Sequence, residues 1–196
     1  LGRRGIRVTD GEIRQAALSE AFPQAGGRIL VLVHGLCQSD VQGERNGRDH
    51  AATLARDKTI APPYTALYLH YNTGLHVSTN GREFSGLLEA LVPAWPVPVE
   101  EIAFLAHSMG GLVTRSAFHY GQAAGHRWPG RVARIVFLGT PHDGAPLERG
   151  GNWVDAVLDA SPYTAAFARL GKLRSAGITD LRHGSVQGHA GPRSGA

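Results

Sequence analysis

The feature that most constrains the fold is a regular alternation of short apolar runs with amphipathic segments. The apolar or β-rich runs are ILVLV at 29–33, TALYLHY at 65–71, IAFL within 101–105 and RVARIVFLG at 131–139. Runs of this length and composition predict buried strands. Strands that alternate with helices form a parallel sheet with helices on both faces. We therefore predict an α/β fold, a three-layer α/β/α sandwich with a mostly parallel sheet.

Three segments have the composition of helices between these strands. Residues 48–58 follow the first strand, with Asp49 near the predicted helix start. Residues 81–92 are amphipathic and place four apolar side chains on one face, namely Phe84, Leu87, Leu88 and Leu91. The proline-rich PAWPVP at 93–98 is expected to end this helix, and a further helix is expected from about residue 109.

The size and composition indicate one globular domain. The chain has 196 residues, of which 42% are hydrophobic and 18% are charged, a balance that fits a folded protein rather than a disordered one. We assign residues 1–183 to a single domain. Residues 184–196 are glycine-rich and aperiodic, and we expect a flexible tail there.

The composition also argues against several classes of function. The single cysteine, Cys37, excludes an internal disulfide and a cysteine-based zinc site. The net charge of +4 is not organised into a basic helix face, so we expect no nucleic-acid partner. No lysine follows Gly110-Gly111 as a phosphate loop requires, and no motif calls for a cofactor or a metal.

The sequence contains no segment that predicts a membrane location. The longest aliphatic run, at 29–33, is far too short to cross a bilayer, so we expect no integral membrane segment. No charged and apolar leader opens the sequence, which predicts a cytoplasmic protein. Because the chain begins with leucine, a preceding segment remains an alternative.

The octapeptide LAHSMGGL, residues 105–112, joins an apolar run to a segment of helical periodicity. Ser108 is therefore expected at the tip of a strand–turn–helix junction. The small residues Ala106 and Gly110 would let this turn pass close to neighbouring backbone, as in the nucleophile elbow G-x-S-x-G. A plain Ser-Gly turn that only joins two elements is the alternative.

Other polar residues follow the remaining predicted strands at the same edge of the sheet. They are His34-Gly35, Tyr71-Asn72 and Thr140-Pro141-His142. Ligands of parallel sheets bind beyond the carboxyl ends of the strands. The sequence therefore predicts that these residues share one rim with Ser108.

Four segments in this order resemble serine esterases and lipases of the α/β-hydrolase superfamily. They are RILVLVHGL at 28–36, LYLHYNTG at 67–74, LAHSMGGLVTRSA at 105–117 and FLGTPHDGAPLERGGNW at 137–153. The resemblance covers about residues 28–185 and is strongest to bacterial lipase-like hydrolases related to the inositol-deacylase group. It implies the α/β-hydrolase fold and the cleavage of a carboxylic ester in a lipid or another acyl ester.

The resemblance also implies roles for individual residues. Ser108 would be the nucleophile, and the backbone N–H groups of Leu36 and Met109 would form the oxyanion hole. The helix that starts near Met109 would direct its positive end at the developing charge. Apolar residues near the rim, Leu36, Cys37, Leu75 and Trp153, are candidates for an acyl pocket, although ordinary packing explains such residues equally well.

Histidines and an asparagine near the rim are assigned supporting roles. His107 adjoins Ser108, but adjacent side chains diverge at an elbow, so we expect a structural role for it. His34 is expected to brace the oxyanion loop, and His142 resembles a loop-shaping histidine of the family. Asn72 could touch substrate, but Asn-Thr-Gly is first a turn signal.

The acid and the base of the triad are less clearly marked. The superfamily places both after the serine, each following a later strand. The candidates are Asp143, Asp155, Asp159 and Asp180 as acid, and His183 and His189 as base.

None of these candidates follows an apolar strand, and 151–182 reads as helical or lid-like. The first hypothesis is therefore a serine hydrolase that cleaves carboxylic esters through an acyl-enzyme. The alternative is an incomplete or non-catalytic hydrolase-fold protein whose C-terminal part, with the acid and histidine, is lacking.

Overall fold

The computed structural model describes residues 2–3, 6–7, 13–35, 44–45, 48–49 and 62–142. The elements are, in chain order, strand β1 at Gly2–Arg3, β2 at Ile6–Arg7, helix α1 at Gln15–Ala21, β3 at Arg28–Val33, β4 at Glu44–Arg45, β5 at Arg48–Asp49, β6 at Thr65–Leu69, α2 at Val77–Ala94, β7 at Glu101–His107, α3 at Met109–Ala123, a 3₁₀ helix at Trp128–Arg131 and β8 at Val132–Leu138.

The main sheet has the strand order β2-β1-β6-β3-β7-β8. The strands β6, β3, β7 and β8 are parallel, whereas β1 pairs with β2 and β6 in the antiparallel sense. At the centre, Val33 is in register with Leu69 on one side and with Ala106 on the other. The predicted α/β class, with its mostly parallel sheet, is therefore confirmed.

The order of the strands creates a switch point between β3 and β7. From β3 the chain proceeds to β6 on one side and then crosses back to β7 on the other side. Right-handed crossovers place α2 and α3 on the same face, where they pack extensively against each other. A crevice forms where such a sheet reverses its order, beyond the carboxyl ends of the strands. His34 and Ser108 follow the two strands that flank this point.

The core lies between the central strands and the two packed helices. Its largest fully buried side chains include Phe104 of β7, Leu88 of α2, Leu112 of α3 and Trp128. The helices approach closely at Gly81, where a Cβ atom would clash with the Ser116 side chain. The glycine thus permits the helix contact that holds α3 in place behind the sheet.

Helix α2 is longer at both ends than the predicted 81–92. It begins at Val77 because Val77, Ser78 and Asn80 are buried in the fold, although their sequence has little helical character. It includes Pro93 and ends one residue later, so the proline removes a ladder hydrogen bond near the helix end.

Three other predictions require correction. Residues 48–49 form β5, paired with β4 in a two-stranded sheet, and not the start of a helix; the rest of 48–58 lies outside the described residues. Strand β6 ends at Leu69, so His70 and Tyr71 lie beyond it. The predicted buried strand at 131–139 is β8, the outermost strand of the described sheet, and Val136 and Leu138 are 49% and 46% exposed.

The described helices also bear on membrane association. Within the described residues, no helix combines the length and the apolar character that a bilayer crossing requires.

Candidate active site

Ser108 lies at the junction between β7 and α3, as the sequence predicts. Its φ of 50° and ψ of −124° make it the one non-glycine residue with positive φ among the described residues. Such a conformation costs roughly 1 to 3 kcal/mol in a residue with a side chain, and it persists only where the surroundings enforce it. This sharp turn is the conformation that an elbow serine requires.

The serine is the N-cap residue of α3, but its side chain does not cap the helix. A capping serine accepts a hydrogen bond from a backbone N–H in the first helical turn. The Ser108 side chain makes no such bond. The backbone holds the residue instead, because the Ser108 N–H donates to the Leu138 carbonyl at 2.8 Å and the Ser108 carbonyl accepts from Gly111 at 3.0 Å. The hydroxyl is therefore not used by the helix end.

Gly110 lets α3 begin directly against the end of β3. A Cβ atom at this position would lie 2.5 Å from the Val33 carbonyl oxygen and would clash with the carbonyl oxygen of His34. Backbone atoms cannot move aside as a flexible side chain can. The small residue two places after the serine is thus required by the packing of the elbow on the neighbouring strand.

Gly35 lies beside the serine across the switch point. A Cβ atom on Gly35 would lie 3.0 Å from Ser108 Cβ and 2.9 Å from His107 Nδ1. The segment His34-Gly35 and the elbow are therefore in van der Waals contact. His107 is partly exposed, and burial of the rest of its ring lowers its pKa.

His34 and Tyr71 form a compact pair behind Gly35. The two rings stack with centroids 4.5 Å apart and an interplanar angle of 19°. The Tyr71 hydroxyl donates to the His34 carbonyl at 2.6 Å, and His34 Nδ1 donates to the Gly35 carbonyl at 2.9 Å. Burial raises the pKa of Tyr71, so the hydroxyl stays protonated and can donate.

Asn72 begins a tight turn after β6. Its side-chain oxygen accepts a hydrogen bond from Gly74 N at 2.9 Å, which is an Asx turn. Its backbone carbonyl accepts from the buried Asn80 side chain at 2.9 Å and from Leu75 N at 3.2 Å. The turn signal in the sequence therefore corresponds to an ordered turn, which a side chain of α2 stabilises through a hydrogen bond.

The segment after β8 completes the described part of the rim. The His142 ring packs edge-on against Phe137 with centroids 4.7 Å apart, and Arg115 NH1 donates to His142 Nδ1 at 3.1 Å. The Thr140 side chain lies against Gly111, where a Cβ atom would collide with it. In the part of the chain that the structure describes, Thr140 Oγ1 is buried without a hydrogen-bond partner.

The structure thus brings together His34, Gly35, Tyr71, Ser108 and His142 at one edge of the sheet. Met109 is buried at the first position of α3, where backbone N–H groups lack partners within the helix. The predicted pocket residue Leu75 lies in the turn after β6 and is 40% exposed. The remaining predicted site and pocket residues lie outside the described residues, namely Leu36, Cys37, Asp143, Trp153, Asp155, Asp159, Asp180, His183 and His189.

No partner base is found in the described segments. Within residues 13–35 and 62–142, the ring nitrogens of His34, His126 and His142 bond to groups other than the Ser108 hydroxyl. In these same segments, no group of three or more His, Cys, Asp or Glu side chains is placed to hold a metal ion.

Some contributors to the site carry little signal in the sequence. Tyr71 reads as the last residue of a strand, yet its side chain holds the segment after β3. Asn80 and Arg115 read as ordinary helix residues, and their contacts with Asn72 and His142 depend on the tertiary fold. The sequence places Tyr71 on the predicted rim but does not indicate that its hydroxyl binds the His34 carbonyl.

The molecule is of the α/β class, with a strained serine at the switch point of a parallel sheet. The chain belongs to the family described as "Domain of unknown function (DUF7379)", which matches residues 8–182. No curated protein and no solved structure matches the chain.

Proposed function

We propose that the protein is a serine hydrolase that cleaves carboxylic esters through an acyl-enzyme on Ser108. The observation that carries the proposal is the strained conformation of Ser108 at the switch point. Its side chain does not cap α3, and the residue packs against Gly35. A serine that only joined two elements would have no reason to adopt this conformation. The proposal includes the α/β-hydrolase fold as a three-layer sandwich, with the substrate an acyl ester or a lipid.

The reaction begins when Ser108 Oγ attacks the carbonyl carbon of the ester. A base accepts the hydroxyl proton, and the carbonyl oxygen becomes an oxyanion in the tetrahedral intermediate. When the intermediate collapses, the alcohol leaves with the proton that the base returns. Water then attacks the acyl-enzyme in the same manner, releasing the carboxylic acid and restoring the serine. The candidates for the base are His183 and His189. The candidates for the acid are Asp143 and Asp180.

Stabilisation of the oxyanion comes from the backbone at the start of α3 and after β3. The Met109 N–H belongs to the first helical turn, where the helix leaves it without a partner. The positive end of α3 favours the negative charge there. The second donor is the N–H of Leu36, which belongs to the same peptide as the Gly35 carbonyl. Loss of one such donor costs about 3 kcal/mol of transition-state stabilisation.

A hydrolase fold that binds acyl ligands without turnover is the second candidate. The observation that favours it is that no histidine of the described residues bonds to the Ser108 hydroxyl. Without a base, catalysis by the oxyanion hole alone is small.

Hydrolysis of p-nitrophenyl esters separates the two candidates. The full chain and Ser108→Ala are assayed with acetyl, butyryl and octanoyl esters, and circular dichroism checks the fold of both. Turnover in the parent that disappears in the variant supports the hydrolase. Equal background rates in two folded proteins overturn it and favour the binding protein.

A further inference from the structure

Two hydrogen bonds hold consecutive peptide groups next to Ser108. The Tyr71 hydroxyl binds the carbonyl of the His34–Gly35 peptide at 2.6 Å. His34 Nδ1 binds the next carbonyl, that of Gly35, at 2.9 Å. A carbonyl oxygen can only accept, so this histidine carries a proton on Nδ1. The stacked rings, 4.5 Å apart, join the two donors in one unit.

Fixing these carbonyls also fixes the N–H groups that share their peptide planes. A trans peptide is planar and points its C=O and N–H in opposite directions. The peptide that contains the Gly35 carbonyl also contains the proposed oxyanion donor. Rotation of that peptide would turn its N–H away from the oxyanion. The Tyr71 bond prevents the preceding peptide from rotating and so limits rotation of the next one.

The position of Tyr71 explains how the residue reaches this carbonyl. Strands β3 and β6 are parallel neighbours, with Val33 in register with Leu69. Continuing this register two residues beyond the strands places Tyr71 opposite Gly35. The turn at Asn72, held by Asn80 from α2, fixes the chain directly after the tyrosine. The hydroxyl is therefore presented from a rigid part of the fold.

We propose that Tyr71 is a positioning residue for ester hydrolysis, which holds the His34-Gly35 backbone in the orientation that the oxyanion requires. This role rests on the proposed function of Ser108. Tyr71 contacts neither the substrate nor the reacting atoms in this role. It acts through His34, whose ring it supports and whose carbonyl it binds.

The direct test is Tyr71→Phe, with Tyr64→Phe as the matched control. Both substitutions remove one hydroxyl and keep the ring. Tyr64 lies at the opposite edge of the sheet, where its hydroxyl bonds to Glu101 and Arg28. Steady-state kinetics with p-nitrophenyl butyrate give kcat and KM, and the inactivation rate with a fluorophosphonate measures formation of a tetrahedral adduct on Ser108.

The expected result is a kcat for Tyr71→Phe that is about 10- to 100-fold lower, with KM within about twofold of the parent. The inactivation rate should fall by a similar factor. Tyr64→Phe should keep kcat within about twofold even if its melting temperature falls. Equal kcat values for Tyr71→Phe and the parent, or equal losses in both variants, overturn the role of Tyr71.

A second pair of variants tests the unit without altering the tyrosine. His34→Asn retains a short N–H donor close to the position of His34 Nδ1, whereas His34→Leu does not. We expect His34→Asn to retain about tenfold more kcat than His34→Leu. Equal loss in both variants contradicts the positioning role. A parent that neither hydrolyses the ester nor reacts with the fluorophosphonate overturns the proposed function itself, and the role of Tyr71 with it.

Discussion

The parallel strands of the sheet begin at one edge, the amino edge, and end at the opposite one, the carboxyl edge. The two edges differ in how their polar groups are used. At the amino edge, Arg28 of β3, Glu101 of β7 and Tyr64 before β6 form one cluster. Arg28 NH2 lies 2.8 Å from both the Glu101 carboxylate and the Tyr64 hydroxyl, and its guanidinium covers the Tyr64 ring at 4.1 Å. Each of these polar groups satisfies the others.

At the carboxyl edge, two polar side chains of the described residues are not used in this way. The Ser108 hydroxyl does not cap α3, although the residue stands at the N-cap position in a strained conformation. Thr140 Oγ1 is buried without a partner among the described residues. A fold tolerates strain and unsatisfied groups where function requires them. Under the proposed function, the amino edge contributes to stability and the carboxyl edge holds the reacting groups.

The largest expected effect is the loss of activity in Ser108→Ala. We expect kcat to fall by a factor on the order of 10⁴ or more, since the nucleophile is removed. Ser108→Gly should lose activity equally but gain roughly 1 kcal/mol in the free energy of unfolding, because glycine accepts positive φ without strain. Urea unfolding and ester hydrolysis measure the two effects. A glycine variant less stable than the parent would contradict the strain at Ser108.

The next effect is on the packing of the elbow. Gly110→Ala should lower the free energy of unfolding by about 3 kcal/mol, because its Cβ atom meets the backbone of Val33 and His34. Gly86→Ala is the matched control within α2, where a Cβ atom meets nothing within 4 Å. Urea unfolding should show that Gly86→Ala is more stable than the parent by roughly 0.5 to 1 kcal/mol. Similar effects of both substitutions would contradict the close approach at Gly110.

A third comparison uses glycines at the two ends of β3. A Cβ atom on Gly27 would lie 2.8 Å from the Pro98 carbonyl oxygen, and one on Gly35 would lie 3.0 Å from Ser108 Cβ. Both alanine variants should lose stability. Only Gly35→Ala should lower kcat, by about tenfold, because it displaces the serine. Ester hydrolysis at a temperature where both variants are folded measures kcat. Equal kcat values in the two variants would contradict the proposed difference between the edges.

The smallest effect concerns the charge cluster at the amino edge. Hydrogen bonding by the Tyr64 hydroxyl and Arg28 holds the pKa of Glu101 below its ordinary value of 4.5. The stabilisation is therefore complete above that value and is lost as the pH falls through the lower, folded-state pKa. Glu101→Gln should cost about 1 kcal/mol at neutral pH, with kcat unchanged.

Urea unfolding over a pH series downward from about pH 7 tests the role of Glu101, since the parent and Glu101→Gln should converge once the pH falls below the folded-state pKa of Glu101. A constant difference between the two proteins would show that the carboxylate charge does not contribute.

The sequence was sufficient to predict the central strands and the elbow, because both depend on local signals. The apolar runs at 29–33 and 101–105 are unambiguous, and Ser108 stands between a strand pattern and a helix pattern. The small residues around Ser108 permit the close packing in which its strained φ and ψ occur. Local sequence therefore indicated the position and the geometry of the proposed nucleophile.

Other features depend on contacts distant in sequence and could not be predicted in the same way. The start of α2 at Val77 reflects burial of Asn80, whose side chain binds Asn72. The exposure of β8 depends on its outermost place in the described sheet, and its apolar sequence does not reveal that place. The bond from Tyr71 to His34 requires the parallel pairing of β3 with β6.

The most direct test of the central claim is covalent labelling with a fluorophosphonate followed by peptide mass spectrometry. We predict one adduct per chain, on the peptide that contains Ser108, and no adduct in Ser108→Ala. An unlabelled but folded chain, or an adduct on another residue, would contradict the assignment of Ser108 as the nucleophile.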